Sequence, residues 1–177
     1  MGHVEVTTNI LSPGALLAAF PSLAARAGFS ACGAHGDGGS AAGDDAGAVV
    51  SFSGRVRGGS VTALELEHYP GMTERSIEAM IGSAARRWPV LAVQVVHRVG
   101  TLAPGETIVW LAVAAAHRAA AFSAAEYLMD YLKIAAPFWK RERDASGTWH
   151  WVEARSSDDE RAQRWGITGP GSAGVPS

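Results

Sequence analysis

The stretch Met129–Arg143, MDYLKIAAPFWKRER, most constrains how this chain can fold, because a proline divides it into two segments of different character. Before Pro137, apolar residues recur at helical spacing; after it, aromatic and cationic residues follow one another as in an exposed strand. Proline lacks an amide donor and its ring clashes with the preceding helical turn, so it cannot extend the helix. The stretch therefore predicts a helix, a bend and a strand, with Lys133 and Lys140 on either side of the bend.

Composition limits the possible classes of protein and ligand. The chain has 177 residues, 47% of them hydrophobic and 18% charged, which is enough for one domain with a single core. A net charge of −2 argues against general nucleic-acid binding, and local clusters of cations favour a small anionic ligand instead. Cys32 is the single cysteine, which excludes an internal disulfide, and no apolar run approaches the ~20 residues of a membrane span. We expect a cytoplasmic protein that binds neither nucleic acid nor membrane.

The periodicity of the rest of the chain predicts an α+β fold with a mostly antiparallel sheet and packed helices. Predicted strands are His3–Thr7, Ala48–Val56, Val61–Tyr69, Leu91–Gly100 and Glu106–His117, followed by FWKRER and TWHWVEA after the bend; predicted helices are Pro13 to about Arg26, Thr73–Trp88, and one from about Arg118 through Lys133.

Turn residues and caps connect these elements. Gly58-Gly59, Pro104-Gly105 and Asp144 to Gly147 each predict a hairpin between the strands that flank them. Thr73 is predicted to cap its helix. The helix that leads to Lys133 is predicted to bury one face formed by Phe122, Ala125, Met129 and Leu132.

Three regions follow from this reading. Residues 1–46 form an N-terminal strand and helix with a flexible glycine-rich segment, which extends over residues 28–47. Residues 47–165 form the main domain, and residues 166–177 are predicted to be a disordered tail.

Cationic residues cluster at three predicted element ends. Arg55-Val56-Arg57 ends a strand, His117-Arg118 precedes a helix, and Lys133 and the segment Lys140 to Arg143 flank the bend. Strand alternation puts Lys140 on the face opposite Arg141. Lys133 and the two pairs Arg55–Arg57 and His117-Arg118, each taken alone, are more often explained without a ligand, and the Lys140 segment fits a protected edge strand as well as it fits a binding site. Three clusters at element ends together favour a binding site for an anion.

Sequence motifs for several other kinds of chemistry are absent. The chain has no HExxH, no paired cysteines, no phosphate-cradling glycine loop before a helix and no GxSxG, and its six histidines are scattered without ligand spacing. Cys32 lies in the glycine-rich segment with no base near it in sequence. We expect no metal and no other cofactor, and a nucleophile that is either lysine or supplied from outside.

A family resemblance rests on eight segments in order: GAVVSFSGRVR, LELEHYPGMTE, RWPV, HRVGTLAPGE, AHRAAAF, MDYLK, APFWKRE and WVEA. From about Ala48 to Trp165 the chain closely resembles the large, catalytic subunit of molybdopterin synthase. The resemblance implies an α/β hammerhead-type fold and a dimer at the centre of a heterotetramer. It also implies a small ubiquitin-like sulfur carrier as partner, whose C-terminal Gly-Gly tail is activated as a thiocarboxylate. The implied reaction converts cyclic pyranopterin monophosphate to molybdopterin.

The same resemblance implies which residues form the site. Lys133 and Lys140 would be catalytic, stabilising oxyanions or exchanging protons; the substrate-binding positions would be Phe52, Arg55, Val56, Arg57, His117, Arg118, Lys133, Lys140, Arg141 and Glu142. Arg55 stands where the family usually has lysine, which keeps the charge but changes the donor geometry. The alternative is a non-catalytic module that binds an anionic peptide tail or nucleotide through the same patch.

Overall fold

The computed structural model describes residues 2–26, 46–152, 160–161 and 163–167 of the chain. The strands are β1 (Gly2–Thr7), β2 (Ala48–Arg55), β3 (Val61–His68), β4 (Val90–Arg98), β5 (Gly100–Leu102), β6 (Thr107–Ala115), β7 (Phe138–Asp144) and β8 (Trp149–Trp151); the helices are α1 (Pro13–Arg26), α2 (Met72–Arg87) and α3 (Arg118–Ile134).

The first sheet has the order β1-β4-β6-β2 and is antiparallel except for the parallel pair of β1 and β4. Its two central strands are almost continuously apolar because both faces are covered. Val95 and Leu111 are fully buried on the face that α2 and α3 cover. Val96 and Trp110 face the other way and pack with Phe20 of α1. The N-terminal strand and helix therefore complete this sheet.

The second sheet has the order β5-β3-β7-β8 and is entirely antiparallel. Leu64 and Leu66 of β3 point into a small cluster shared with Val56, Val99 and Leu102. This cluster joins the second sheet to the ends of β2 and β4. The mostly antiparallel α+β architecture predicted from the sequence is confirmed, as are the β4–β6 pairing and the β7–β8 hairpin.

The predicted hairpin around Gly58-Gly59 is wrong. β2 pairs with β6 in the first sheet, whereas β3 pairs with β5 and β7 in the second. The cause is Val56, whose side chain is buried and whose N–H donates to the carbonyl of Glu106 at 2.9 Å. Because Val56 fixes the end of β2 beside β6, the chain passes through Gly58-Gly59 from the first sheet to the second.

Two helix predictions also need correction. The N-cap of α2 is Gly71, whose N–H donates to the Glu74 carboxylate at 2.6 Å, and Thr73 lies inside the helix, fully buried. In α3, Ala125 and Leu132 are buried and Met129 is partly buried, but Phe122 is 64% exposed. Small alanines at the start of α3 fill the contact with the sheet instead.

The predicted tail begins too early, because Ile167 is buried in the main core against which Trp165 packs. The predicted glycine-rich segment with Cys32, apart from Ala46 and Gly47, lies outside the described residues, as do residues 168–177. No helix in the described part of the chain is long and apolar enough to cross a membrane.

Candidate active site

The bend between the two lysines is formed by a tightly closed helix end. The N–H groups of Ala135 and Ala136 both donate to the carbonyl of Tyr131, at 2.8 and 3.1 Å, which ends α3 just after Lys133. Pro137 follows, and β7 begins at Phe138. The predicted order of helix, bend and strand is thus confirmed.

The two faces of β7 have different environments. The antiparallel register pairs Leu66 with Lys140 and Leu64 with Glu142, so Lys140 and Glu142 share the face of the apolar cluster. Lys140 is partly buried there, while Lys133 is exposed in the last turn of α3. The chain has two lysines, and these are both of them. The face predicted for Lys140, opposite Arg141, is confirmed by the register.

Arg141 belongs to the outer face of the second sheet. Its Nε donates to a Glu65 carboxylate oxygen at 2.5 Å, and its guanidinium lies over the rings of Trp149 and Trp151. The hydrogen bond that Arg141 donates to the Glu65 carboxylate is the main reason that the pKa of Arg141 is raised. The structure therefore does not bring Arg141 together with the lysines.

Arg55 and Arg57 are both exposed, and between them the buried Val56 holds the chain in place. The carbonyl of Val56 accepts a hydrogen bond from the N–H of Gly105 at 2.9 Å, so both of its backbone groups are engaged. Val56 therefore contributes by anchoring the two arginines rather than by presenting its own side chain.

The turn at residues 103–106, which hydrogen-bonds to the backbone of Val56, is stabilised by the carboxylate of Glu106. The Glu106 carboxylate accepts hydrogen bonds from the N–H of Ala103 at 2.6 Å and from Arg98 Nη1 at 2.9 Å, which lower the pKa of Glu106. Sequence analysis missed Arg98 and Glu106. In the segment HRVGTLAPGE, Arg98 stands at the end of a predicted strand and Glu106 directly follows the Pro104-Gly105 turn. This placement on either side of a turn could have indicated that the two side chains pair.

Phe52 and Gly54 lie on β2 just before the arginines. Phe52 pairs with Leu111 and is 43% exposed, and its ring packs next to Gly54. A Cβ at Gly54 would lie 2.8 Å from Val109 Cγ1, which explains the glycine at this point of close packing.

We call the region of Arg55, Arg57, Lys133 and Lys140 the lysine end. It is one end of the first sheet, because Arg55 pairs with Thr107 and because Phe138 stacks on His97, which pairs with Val109. Val56 and Phe138 both pack against the same apolar cluster. Two of the three predicted clusters, Arg55–Arg57 and the residues around the bend, therefore lie at the same end of the first sheet.

His117 and Arg118 lie elsewhere, at what we call the histidine end. Ala120 and Ala121 at the start of α3 pack with Ala115 and Ala48, at the opposite end of β6 and β2 from Arg55. α3 has 17 residues, so its two ends are roughly 25 Å apart at ~1.5 Å per residue. His117 and Arg118 are exposed, and one chain does not bring them to the lysines.

The described residues contain no group of three or more His, Cys, Asp and Glu side chains that could hold a metal ion. What the lysine end offers is ammonium and guanidinium groups on well-fixed backbone. Such groups bind phosphate and carboxylate and stabilise oxyanions.

Fold and site together define an α+β protein in which cationic side chains gather at one end of the first sheet. The family described as "MoaE protein" matches residues 36–135. The molybdopterin synthase catalytic subunit of Salmonella typhimurium is 54% identical over 129 residues, covering 71% of this chain and 85% of that protein. A solved structure, the molybdopterin biosynthesis MoaE protein from Burkholderia ambifaria, has a TM-score of 0.72 and 41% identity, covering 94% of this chain and 99% of its own. The chain therefore belongs to the MoaE family, and the predicted resemblance, enzyme class and fold class are confirmed.

A complex of subunits 1 and 2 of the molybdopterin-converting factor from Helicobacter pylori contains a chain of the same fold. Its TM-score is 0.66 at 19% identity, covering 86% of this chain and 92% of that one. This likeness concerns the fold.

Proposed function

We propose that the chain transfers sulfur from the C-terminal thiocarboxylate of a small ubiquitin-like carrier to cyclic pyranopterin monophosphate, yielding molybdopterin. The observation that carries this proposal is the lysine end, where two lysines flank a closed bend beside two exposed arginines. Membership of the MoaE family supports the same reaction. The single cysteine supports a cytoplasmic, reducing location.

Each transfer replaces one substrate oxygen by one sulfur. The thiocarboxylate sulfur bonds to a substrate carbon as the bond from that carbon to oxygen breaks, and water then cleaves the resulting thioester, which leaves a carboxylate on the carrier and a thiolate on the product. Sulfur keeps its oxidation level throughout, so no oxidant or reductant is needed. Negative charge develops on oxygen during both the attack and the departure. Lys133 and Lys140 stabilise these oxyanions and exchange protons with them.

The phosphate of the substrate needs a separate set of donors. Arg57 and Arg55 are available at the lysine end, and the planar guanidinium suits bidentate contact with a phosphate. His117 and Arg118 are suited to the same task, since a helix N-terminus favours anions. Their distance from the lysines in one chain means that a second copy must supply them.

We therefore propose a symmetric dimer in which the histidine end of one copy completes the lysine end of the other. Exposed aromatic side chains lie beside both ends: Phe122 is 64% exposed near Arg118, and Trp139 and Trp151 are 47% and 63% exposed on the second sheet. A two-fold interface uses the same surface on both copies, which these two groups of aromatics would provide.

The test is formation of the dithiolene product from cyclic pyranopterin monophosphate and purified thiocarboxylated carrier. The proposal predicts product in proportion to the thiocarboxylate consumed, two sulfurs for each molybdopterin. Binding of the carrier without product would instead favour the alternative, a non-catalytic module for an anionic peptide tail.

Light scattering tests the assembly separately. We expect a dimer without the carrier at micromolar concentration. A monomer under these conditions would contradict the shared site while leaving the chemistry of the lysine end open to the product assay.

A further inference from the structure

The lysine bend, residues 133–140, is held by a buried hydroxyl on α2. Thr73 is fully buried, and its Oγ1 donates to the carbonyl of Pro137 at 3.2 Å. The same oxygen accepts a hydrogen bond from the N–H of Tyr69 at 3.3 Å. One hydroxyl thus connects the loop before α2 to the residue at the centre of the bend.

An imidazole on β4 holds the next residue of the bend. The His97 ring stacks on Phe138 with centroids 4.1 Å apart and planes 22° apart. Its Nδ1 donates to the carbonyl of Arg98 at 2.9 Å, which fixes the ring. Pro137 and Phe138 are therefore held from two different elements.

Holding these two residues sets the register of β7. Phe138 pairs with His68 and Lys140 with Leu66, and side chains alternate faces along a strand. A slip of one residue would turn Lys140 to the outer face that Arg141 occupies. Whatever fixes Pro137 and Phe138 therefore decides whether Lys140 lies at the site.

We propose that Thr73 and His97 are positioning residues that place Lys140 relative to Lys133, Thr73 through the Pro137 carbonyl and His97 through the Phe138 ring. This inference rests on the proposed catalytic role of the two lysines. Both residues act on the segment that separates the lysines, and neither is among the proposed substrate-binding residues.

Lysine NMR reads this placement directly, without substrate. The chain has two lysines, so protein labelled with ¹³C at the lysine Cε gives two side-chain signals, which the Lys133→Arg and Lys140→Arg variants assign. Thr73→Val keeps the side-chain shape and removes the hydroxyl, and Thr73→Ser restores it. We expect Thr73→Val to shift the Lys140 signal and to lower the single-turnover rate by about tenfold to a hundredfold. Thr73→Ser should resemble wild type.

Ser76→Ala is the matched control. Ser76 is also on α2, and its hydroxyl hydrogen-bonds to the Tyr131 hydroxyl of α3 without reaching the bend. We expect both lysine signals and the rate to be retained in Ser76→Ala. Equal losses in Ser76→Ala and Thr73→Val would overturn the proposal, because the effect would then come from general loosening of α2 against α3.

Two variants of His97 distinguish the stacking of its ring on Phe138 from its hydrogen bond to the Arg98 carbonyl. His97→Phe keeps a ring to stack on Phe138, and His97→Ala removes it, so the Lys140 signal should move only in His97→Ala. Wild-type lysine signals in both Thr73→Val and His97→Ala would overturn the inference whatever the activity. Normal turnover in the lysine variants themselves would instead remove the proposed function, and the NMR result would still decide the positioning.

Discussion

The two ends of α3 differ in how firmly the structure holds them. At the lysine end the chain closes on the Tyr131 carbonyl, and Thr73 and His97 secure the residues that follow. At the histidine end His117 is an extended N-cap with no side-chain capping bond, and its neighbour Arg118 is exposed. One end of the same helix is fixed, and the other is open.

This difference separates two tasks. Chemistry at carbon needs charged groups at fixed positions, because a small displacement weakens an interaction that acts only in the transition state. Binding a phosphate needs cations and free amides that can adjust to their ligand. The fixed end suits the first task, and the open end suits the second when a second copy brings it near.

Removing a lysine should give the largest effect. General acid–base and oxyanion contributions are worth about 10²- to 10⁴-fold, so Lys133→Ala and Lys140→Ala should each lower the single-turnover rate at least ~100-fold. An exposed charge at a helix end contributes only ~0.3–1 kcal/mol to stability, so folded Lys133→Ala should unfold almost as wild type does. Arg86→Ala, which removes an exposed cation in the last turn of α2, is the control. Near-normal turnover in folded Lys133→Ala would contradict a catalytic role for the lysine end.

Acid should loosen the fixed end through His97. Burial lowers its pKa from 6.5 to about 4, with His68 as a further unfavourable neighbour. Between pH 6.5 and about pH 4, His97 is protonated in the unfolded chain and neutral in the folded chain. The free energy of unfolding is therefore highest above pH 6.5 and falls as the pH decreases towards 4. The loss should be on the order of 3 kcal/mol. Urea unfolding at several pH values measures it, and His97→Phe should remove this component; an unchanged pH dependence in that variant would assign the loss to other groups.

Replacing arginine by lysine should give a smaller effect that compares the two ends directly. Arg57→Lys keeps the charge but loses the planar fork, so substrate affinity should fall about tenfold. Arg118→Lys tests the histidine end in the same way. Calorimetry at two salt concentrations should show weaker binding with salt, yet a shallower dependence than that of a nucleic-acid binder. Equal affinities in wild type, Arg57→Lys and Arg57→Ala would remove Arg57 from the site.

Local patterns predicted the parts of the fold that depend on neighbours in sequence. Pro137 marked the end of α3, and alternation placed Lys140 and Arg141 on opposite faces of β7. Long-range competition decided the rest. Gly58-Gly59 has the residues of a hairpin turn, but burial of Val56 sends β2 and β3 to different sheets.

The sequence predicted which types of residue form the candidate site better than it predicted where they lie relative to one another. Thr73 has the chemistry of a helix cap, yet its hydroxyl bonds to a residue 64 positions away, which no local pattern indicates. His117-Arg118 and Lys133 were two clusters expected to contribute to one anion site, but they lie at opposite ends of α3, and the length of that helix separates them. Distances along a folded element therefore decide which cationic clusters meet.

Subunit complementation tests the shared site most directly. Lys133→Ala and Arg118→Ala each disable one end, and a mixed dimer of the two would hold one site built entirely from wild-type residues. After complete, random subunit exchange, dithiolene formation should recover to about a quarter of the wild-type rate, since about half of the dimers are mixed and each has one intact site. Activity no higher than the average of the two separate variants, in dimers shown to have exchanged, would contradict a site built from opposite ends of α3 in two copies of the chain.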